Sequence, residues 1–543
     1  MRAFPILAAL VLAAGSFGAD WSRFVSGPFE VLSKAGQKPA RRILTELEQV
    51  RHALGTALEK QDLEAVWPMR VVVFASERNC RGCTLGEWFE RRDRWVLGVV
   101  RGRPLPHAQL ARILIAANTR RMPEEVERGL TALFSTIEVE GVRVRLGKPV
   151  PRPDIDWARM HMLLVDPEYS VRTPVLLANL QQGADWHVAY KNAFGKAPDE
   201  MEAMVKEYLA RGDFPVREFS GAPVSPKRFH PRDYRPEYVE TAVADLLEGE
   251  AARAAYQAVL AKYGDYPPAL EGLGRFEAAV KAGSRSARCL FEYAKLLKEP
   301  ARARQALVRA TELNPRWAEP WALMADLETN AALKIRDLKK ATELDSRNLA
   351  YWEALSQAYL DAGDLRQASI ALGGAMRAAR TPEEREAYYQ KRLRLEERRA
   401  EQRVQSRQSD LIRRRRTEAR RLREEWEEML RRAREAEEAA GGEGAADVVE
   451  WWDDPRPKAK IWGVLKEVEC TRGPARLVIE DSDGELTRLV VKDPGKVVIL
   501  GREPNATLGC GKQNPPRPVA VEYYKPSSPG GKSAGEVAVV EFR

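Results

Sequence analysis

The sequence predicts a multidomain protein that combines an α+β domain, an all-α solenoid of helical repeats, one long charged helix and a small C-terminal all-β barrel or sandwich. Three observations carry this fold class. Strand-like and helical patterns follow one another over residues 20–230, helical patterns alone recur at a fixed interval over 232–380, and short strands separated by turn signals fill 458–543. A chain of 543 residues has room for several such domains.

The composition excludes several classes of protein. With 44% apolar and 31% charged residues, the chain can form hydrophobic cores, which excludes general disorder. Five cysteines are too few for a dense disulfide framework, and five histidines leave little material for a multi-histidine metal protein. A net charge of +9 spread over this length does not indicate nucleic-acid binding, so we expect no nucleic-acid partner.

The first residues have the pattern of a secretory signal peptide. An uncharged apolar run follows Met1 and Arg2 and ends in small residues before Asp20, which predicts a signal peptide over residues 1–19. The run is shorter than the ~20 residues that span a bilayer. Contact with a membrane is therefore expected only if the signal peptide stays uncleaved. We expect an extracytoplasmic protein, periplasmic or secreted, in a compartment where disulfides persist.

Residues 20–230 alternate between short apolar runs and amphipathic segments, which is typical of an α+β domain. The patterns predict strands at 29–33, 70–74 and 95–100, helices at 39–58, 108–118 and 123–136, and a hairpin at 137–144 with Gly141 in its turn.

The helical region over 232–380 contains an internal repeat. Ala287, Ala318 and Leu349 begin three units at intervals of 31 residues, and each unit contains two helices. Aromatic or leucine residues such as Trp352 lie in the first helix, and small residues such as Ala375 lie in the second. These residues resemble tetratricopeptide repeats (TPR), and a weaker pair of units is predicted over 232–286.

The TPR resemblance implies a protein or peptide partner, which the sequence does not identify, bound on the concave surface of the array. The residues expected to contact it are exposed first-helix positions: Glu292, Lys295, Glu319, Arg347, Glu353 and Gln357.

More than half of the residues in the segment 383–440 are charged, and it contains no proline, which predicts one long helix. Its apolar residues do not settle into heptads, so a single solvated helix and a coiled-coil seam both remain open. A glycine-rich start predicts a linker at 441–457. The strands that follow predict a small antiparallel barrel or sandwich, in which Cys470 and Cys510 are the only cysteines and are expected to form a disulfide.

Within the first domain, Met122-Pro123, Gly129-Leu130 and the stretches 134–141 and 146–149 resemble the MA-type (gluzincin) metallopeptidase domain over about 28–215. The resemblance implies a helix with two zinc-binding histidines and a general base, and a third ligand on the next helix. Those positions hold Ala108, Gln109, Arg112 and Arg128. We therefore expect no catalytic residue, no metal and no cofactor, and we expect Arg112 and Arg128 to face the former metal pocket.

Two enzymatic alternatives remain open. An active zinc metallopeptidase would need a relocated site that recruits His107, His161 or His187. A thiol–disulfide oxidoreductase would use Cys80 and Cys83, if a helix from Leu85 follows the strand and the C-x-x-C motif; a local disulfide or inert thiols are the other interpretation. The sequence favours an exported, non-catalytic scaffold or adaptor with a pseudo-peptidase domain.

Overall fold

A computed structural model describes residues 21–439, 458–470, 473–501, 508–526 and 533–542. The predicted signal peptide and the predicted linker lie outside the described residues. The chain divides into two compact units, one ending at Arg414 and the other beginning at Arg415. The predicted α+β domain and the predicted repeats therefore belong to one compact unit.

A five-stranded sheet forms the centre of the N-terminal domain. Its strands are β1 Ser22–Ser26, β2 Phe29–Ser33, β3 Met69–Phe74, β4 Trp88–Arg91 and β5 Arg94–Val100. The order is β1-β2-β3-β5-β4, in which β2, β3 and β5 are parallel and the two edge strands are antiparallel. Every residue of β3 is buried because both faces of the sheet are covered. The three predicted strands are confirmed.

Helices cover one face of this sheet and share its main hydrophobic core. They are α1 Gln37–Ala57, α2 His107–Asn118, α3 Glu124–Ser135, α4 Ile155–Val165, α5 Pro167–Ser170, α6 Thr173–Gln182, α7 Trp186–Phe194 and α8 Pro198–Arg211. A second, three-stranded sheet contains β6 Glu138–Glu140, β7 Arg143–Leu146 and β8 Arg217–Ser220. Gly141 has a φ of 66° in the turn between β6 and β7, as the hairpin pattern predicts.

Ten helices follow before the long helix. The first four are α9 Pro236–Ala244, α10 Gly249–Tyr263, α11 Pro267–Gly272 and α12 Phe276–Lys281. The next six are α13 Ala287–Leu296, α14 Pro300–Leu313, α15 Glu319–Asp326, α16 Ala331–Leu344, α17 Leu349–Asp361 and α18 Leu365–Ala378. Helix α9 packs on the second face of the five-stranded sheet, where Val239 and Leu246 share a core with Val72.

The three predicted repeat units are confirmed as the helix pairs α13/α14, α15/α16 and α17/α18. The third pair shows why small residues are needed. The ring of Trp352 lies directly against the Cα of Gly374, so any Cβ at that position would collide with the indole. The indole N–H also donates to the carbonyl of Ser346 at 3.0 Å, which fixes the ring against the turn before α17.

The long helix α19 runs over Pro382–Ala439, which confirms a single helix for the part of 383–440 that is described. Its start is not fully solvated, because Tyr388 and Leu395 are buried in a core with Leu372. Among the described residues, none of the helices is both long and apolar enough to cross a membrane.

The C-terminal domain is a small barrel. Its strands are β9 Lys458–Glu469, β10 Ala475–Glu480, β11 Leu486–Val491, β12 Val498–Leu500, β13 Gly511–Tyr524 and β14 Gly535–Phe542. Pairing of β11 with β14 closes five strands, and β12 adds to β14. These two pairs are parallel, so the expectation of an entirely antiparallel domain is wrong. The predicted disulfide is confirmed: Cys470 and Cys510 are joined at 2.04 Å.

A buried ion-pair network holds the N-terminal sheet against α9 and α11. Asp245, which is fully buried, accepts two hydrogen bonds from Arg92 at 2.9 and 2.7 Å and one from Arg70 at 3.4 Å. Arg70 also binds Glu30 at 2.7 Å, and Arg92 binds Glu271 at 3.2 Å. We call Glu30, Arg70, Arg92, Asp245 and Glu271 the ion-pair network. It fixes how the N-terminal domain meets the helical repeats.

Candidate functional site

The four positions that the peptidase resemblance assigns to the zinc motif lie on α2 and α3. Ala108 carries no polar side-chain atom. The Gln109 side-chain oxygen accepts a hydrogen bond from the backbone N–H of Trp88 at 2.8 Å, which ties α2 to the edge strand β4. The Arg128 guanidinium binds Asp156 at 2.8 Å and Glu124 at 3.0 Å.

The expectation that Arg112 and Arg128 face one inward pocket is wrong. Arg112 is exposed and lines the cleft described below, whereas Arg128 is not part of that cleft. The physical reason is Asp156, which α4 places beside α3, so that its carboxylate holds Arg128 at the surface.

The three histidines that a relocated metal site would need do not converge. His107 is buried at the first turn of α2, and its Nε2 lies 2.9 Å from a carboxylate oxygen of Glu46. His161 is completely buried, with its ring nitrogens bonded to the Tyr208 hydroxyl and the Gly147 carbonyl, while His187 is exposed. Burial lowers the pKa of His161. Within the described ranges, no group of three or more His, Cys, Asp or Glu side chains could hold a metal ion.

Cys80 and Cys83 form a disulfide. The helix expected from Leu85 is wrong, because strand β4 follows the motif and only the short 3-10 helix Glu77–Asn79 precedes it. The motif therefore lacks the helix N-terminus that lowers the pKa of the attacking thiol in thioredoxin-like enzymes. The fifth cysteine, Cys289, is buried, which raises the pKa of its thiol to about 11.

A cleft of about 810 Å³ lies between the N-terminal domain and the repeats, and we call it the large cleft. It brings together residues that are far apart in the sequence. Four of the residues singled out above line it: Arg112 from α2, Glu319 from the start of α15, Arg347 from the turn before α17, and Glu353 from α17. The site that the structure favours is thus a joint surface of both parts of the unit.

An aromatic bridge closes one side of the large cleft. The rings of Trp67 and Trp317 lie 4.8 Å apart, edge to face. The Arg288 guanidinium lies over both rings, at 5.0 and 4.9 Å from their centres, and binds Glu90 at 3.0 Å. Cation–π contacts of this kind add to the apolar burial. The bridge is continued by Asn314, whose amide donates to the carbonyl of Val66 at 2.9 Å.

Arg347 forms the second bridge. Its guanidinium binds the carboxylate of Glu127 at 2.5 and 3.2 Å and donates to the carbonyl oxygen of Thr119 at 3.0 Å. Only 12% of its side chain is exposed. The sequence predicts Arg347 as a partner-binding residue, and the structure shows that it links the repeats to the α2–α3 loop.

The other predicted partner-binding residues are spread over different environments. Glu292 pairs with Lys295 on α13 at 2.5 Å, and Gln357 donates to Asp361 at 2.7 Å; none of these lines the large cleft. Glu353 accepts a hydrogen bond from the Tyr388 hydroxyl of α19. Glu319 is accessible from the cleft, yet the surrounding protein desolvates its carboxylate and raises its pKa.

Sequence reasoning missed the residues that join the two parts. Trp67 and Trp317 are 250 positions apart, and no local pattern pairs them. The available signal was the segment from Glu312 to Trp317, where a tryptophan follows the turn between two repeat units. A large aromatic residue in an inter-repeat turn has no place in the core of its own repeat and needs a partner elsewhere, which here is the N-terminal domain.

No protein-family model and no curated protein matches the sequence. Solved structures that resemble the chain include TPR proteins. YrrB, described as a TPR protein with an unusual peptide-binding site, is 19% identical and matches 28% of this chain and 90% of its own, with a TM-score of 0.24. A thermophilic TPR protein of Thermus thermophilus is 19% identical over 26% of this chain and 90% of its own, with a TM-score of 0.19. Yeast Tom70 is 14% identical over 52% of this chain and 66% of its own, with a TM-score of 0.21. The repeat assignment rests on the helix pairing described above rather than on these overlaps.

Proposed function

We propose that the protein is an exported, non-catalytic scaffold that binds a protein or peptide partner in the large cleft between its N-terminal domain and its repeats. The observation that carries this proposal is the composition of the cleft. Surfaces from both parts of the unit enclose it, and residues that sequence reasoning assigned to two separate features, Arg112 and Glu319, line it together. A volume of about 810 Å³ suits a peptide segment or a protruding loop.

The chemistry of the former zinc positions supports the non-catalytic part of the proposal. Neither Ala108 nor Arg112 can donate an electron pair to a metal at neutral pH, and Arg128 is engaged by two carboxylates. The amide of Gln109 is not a base and is occupied by the Trp88 backbone. A pseudo-peptidase origin of this domain remains part of the proposal and rests on the sequence resemblance.

Export is supported by the sequence pattern of residues 1–19 and by the Cys470–Cys510 disulfide, since disulfides persist in oxidising compartments. Metal analysis of the purified protein tests the enzymatic alternative directly. We expect no stoichiometric zinc after dialysis against a weak chelator; equimolar zinc that is lost in His107→Ala would contradict the non-catalytic proposal.

Site-specific photo-crosslinking tests the binding function. A photoreactive residue at Glu319, inside the large cleft, is expected to capture a discrete partner from the extracytoplasmic fraction. The matched control is Glu312, an exposed glutamate on α14 that does not line the cleft. Ala350→Trp, which fills the cleft, should abolish capture at Glu319. Equal capture at both positions, or capture unaffected by Ala350→Trp, would contradict the proposed site.

A further inference from the structure

Five arginines gather where the α2–α3 loop meets the α18–α19 junction. Arg120 and Arg121 come from the loop, Arg377 and Arg380 from the end of α18 and the turn after it, and Arg392 from α19. We call these five residues the arginine cluster. The folded chain places them close together although they come from two segments about 260 residues apart.

Several observations establish this proximity. The Nη1 atoms of Arg377 and Arg392 both lie 3.7 Å from the point that a Cβ on Gly373 would occupy, so the two cations face one patch. The stem of Arg377 packs on Gly183, the C-cap of α6, which brings it to the N-terminal domain. Burial lowers the pKa of Arg377, and nearby Arg120 and Arg392 lower it further.

The other side of the cluster is arranged in the same way. Burial lowers the pKa of Arg121, and the charges of Arg347 and Arg380 add to that effect, while the carboxylates of Glu127 and Asp345 oppose it. The Nε atom of Arg121 is buried without a hydrogen-bond partner, and its Nη2 reaches only the carbonyl of Arg347, at 3.5 Å. An unsatisfied buried donor costs about 1–3 kcal/mol. Arg121 therefore carries this cost next to the positive charges of Arg347 and Arg380.

No carboxylate among the described residues pairs with any member of the arginine cluster. Acidic residues are nearby, but the hydrogen bonds found for them go to groups other than the five guanidinium groups. Asp345 accepts the backbone N–H of Arg347 at 3.1 Å, Glu384 accepts the backbone N–H of Arg380 at 2.8 Å, and Glu343 pairs with Lys340 at 3.3 Å. Arginine guanidinium groups present a planar fork that matches carboxylates, and here the forks lack such partners.

The cluster lies beside an extended groove rather than a closed pocket. A second cleft of about 670 Å³ contains Arg120 and Trp352 in its lining, and the large cleft contains Arg121 and Arg380. The two clefts share Arg347, Asp345 and Leu344, so they meet at the Arg347 bridge. The half-buried Trp352 lines the second cleft beside Arg120. Trp317 touches the large cleft but is buried against Trp67 and Arg288.

We propose that these joined clefts bind an acidic peptide segment whose carboxylates are held by Arg120, Arg121 and Arg380, which line the clefts. Arg377 and Arg392 lie beside them and add to the local positive charge. This inference rests on the proposed binding function and specifies the class of partner. A single small anion would need only part of the cluster. A chain segment with several carboxylates and an apolar side chain matches the spread of the cations and the half-buried Trp352 in the second cleft.

Fluorescence anisotropy on the full-length protein tests the inference. The probe is a fluorescein-labelled dodecapeptide of Glu, Asp and Trp residues, and the control peptide carries Gln and Asn in place of every acid. The triple variant Arg120→Gln, Arg380→Gln, Arg392→Gln changes exposed side chains only. We expect it to weaken binding of the acidic peptide by about tenfold or more. A matched variant, Arg253→Gln, Arg309→Gln, Arg366→Gln, removes the same charge from exposed positions outside both clefts and should bind as the wild type does.

The outcomes separate this inference from the proposed function. Equal binding of the acidic and neutral peptides, or an unchanged affinity in the cluster variant, would overturn the acidic specificity while leaving the photo-crosslinking result at Glu319 intact. Tighter binding of heparin or inorganic triphosphate than of the peptide would overturn the assignment to a peptide. Lysine at the three positions keeps the charge but lacks the planar fork. Binding that is restored by lysine, with a weaker affinity than with arginine, would support a role for both the charge and the fork geometry.

Discussion

The ion-pair network and the arginine cluster both lie between the N-terminal domain and the helical part of the same compact unit, and both are rich in arginine. In the network, Arg70 and Arg92 are buried, and each binds two carboxylates. In the cluster, the guanidinium groups of Arg377 and Arg392 face one patch, the Nε of Arg121 has no hydrogen-bond partner, and no carboxylate among the described residues forms an ion pair with a member. The same residue type therefore has two different environments at two contacts of one interface.

The difference shows which arginines of the interface stabilise the fold and which do not. Arg92 even adopts a left-handed backbone, with a φ of 56°, at the β4–β5 turn, which costs roughly 1–2 kcal/mol for a residue with a Cβ. Its two carboxylate contacts offset that strain. The cluster has no such compensation, and a region that costs stability without holding the fold is a candidate for ligand binding. The network fixes the interface, and the cluster leaves charge available to a partner.

The largest expected effect comes from breaking the network. Asp245→Ala removes the carboxylate that faces Arg70, Arg92 and the Tyr256 hydroxyl, and leaves two buried cations short of counter-charge. We expect a loss of about 3–5 kcal/mol. Hydrogen exchange of α9–α11 amides measures it locally, without assuming two-state unfolding of the whole chain.

The control is Arg253→Gln, which breaks an exposed pair with Glu250 and should change protection by less than about 1 kcal/mol. Similar protection in the Asp245 and Arg253 variants would mean that the network does not hold the interface.

A smaller loss is expected from packing within the repeats. Trp352→Ala removes the half-buried indole that fills the space over Gly374 and should cost about 3 kcal/mol, because the backbone gap at the glycine cannot collapse. Thermal unfolding of the helical signal measures it. Trp426→Ala, at an exposed position of α19, is the matched control and should leave the transition unchanged. An unchanged transition in Trp352→Ala would mean that the repeat register is wrong.

The same comparison explains what sequence reasoning reached. Periodicity located β3, the repeat pairs and α19 because each is determined by neighbours in the chain. The Cys470–Cys510 disulfide was predictable because two cysteines in one small domain leave one pairing. The segment after Cys83 was assigned to a helix although it forms β4, since pairing of Trp88 with Leu97 outweighs the local pattern.

The candidate site was less accessible to sequence reasoning. Arg347 was selected as an exposed repeat residue, but its environment depends on Glu127 and Thr119, more than 200 residues earlier. The arginine cluster likewise depends on the packing of the Arg377 side chain on Gly183, at the end of α6. No single segment carries either signal, because both arise only when the N-terminal domain and the helices meet.

Lowering the pH should weaken the network overall, although its carboxylates do not all act in the same direction. Burial alone would raise the pKa of Glu30, but Arg70 and the Tyr238 hydroxyl outweigh it and lower the pKa to about 2. Stability from Glu30 is therefore present above its ordinary pKa of 4.5 and is lost as pH falls from there toward 2. Asp245 has a lowered pKa and acts in the same direction, because Arg92 outweighs its burial.

Glu271 acts in the opposite direction. Burial raises its pKa despite Arg92, so its contribution is present at low pH and is lost as pH rises through its raised pKa. We expect a net loss of protection in α9–α11 as the pH falls below 4.5, reduced in Glu30→Gln. Protection that stays constant down to about pH 2 would show that the carboxylates of the network do not control this interface.

The smallest expected effect has the opposite sign. Neutralising Arg120, Arg380 and Arg392 in the cluster should stabilise the unit by about 0.5–1 kcal/mol, because exposed like charges repel one another only modestly. Urea unfolding at about 0.05 M salt should show the gain, and at about 0.5 M salt screening should remove most of it.

The matched removal of Arg253, Arg309 and Arg366 should show no such gain, since Arg253 pairs with Glu250. A loss of stability in the cluster variant would mean that these arginines hold the fold as the network does. A gain in stability together with weaker binding of the acidic peptide would identify the cluster as a region where the protein retains unfavourable charge in order to bind a partner.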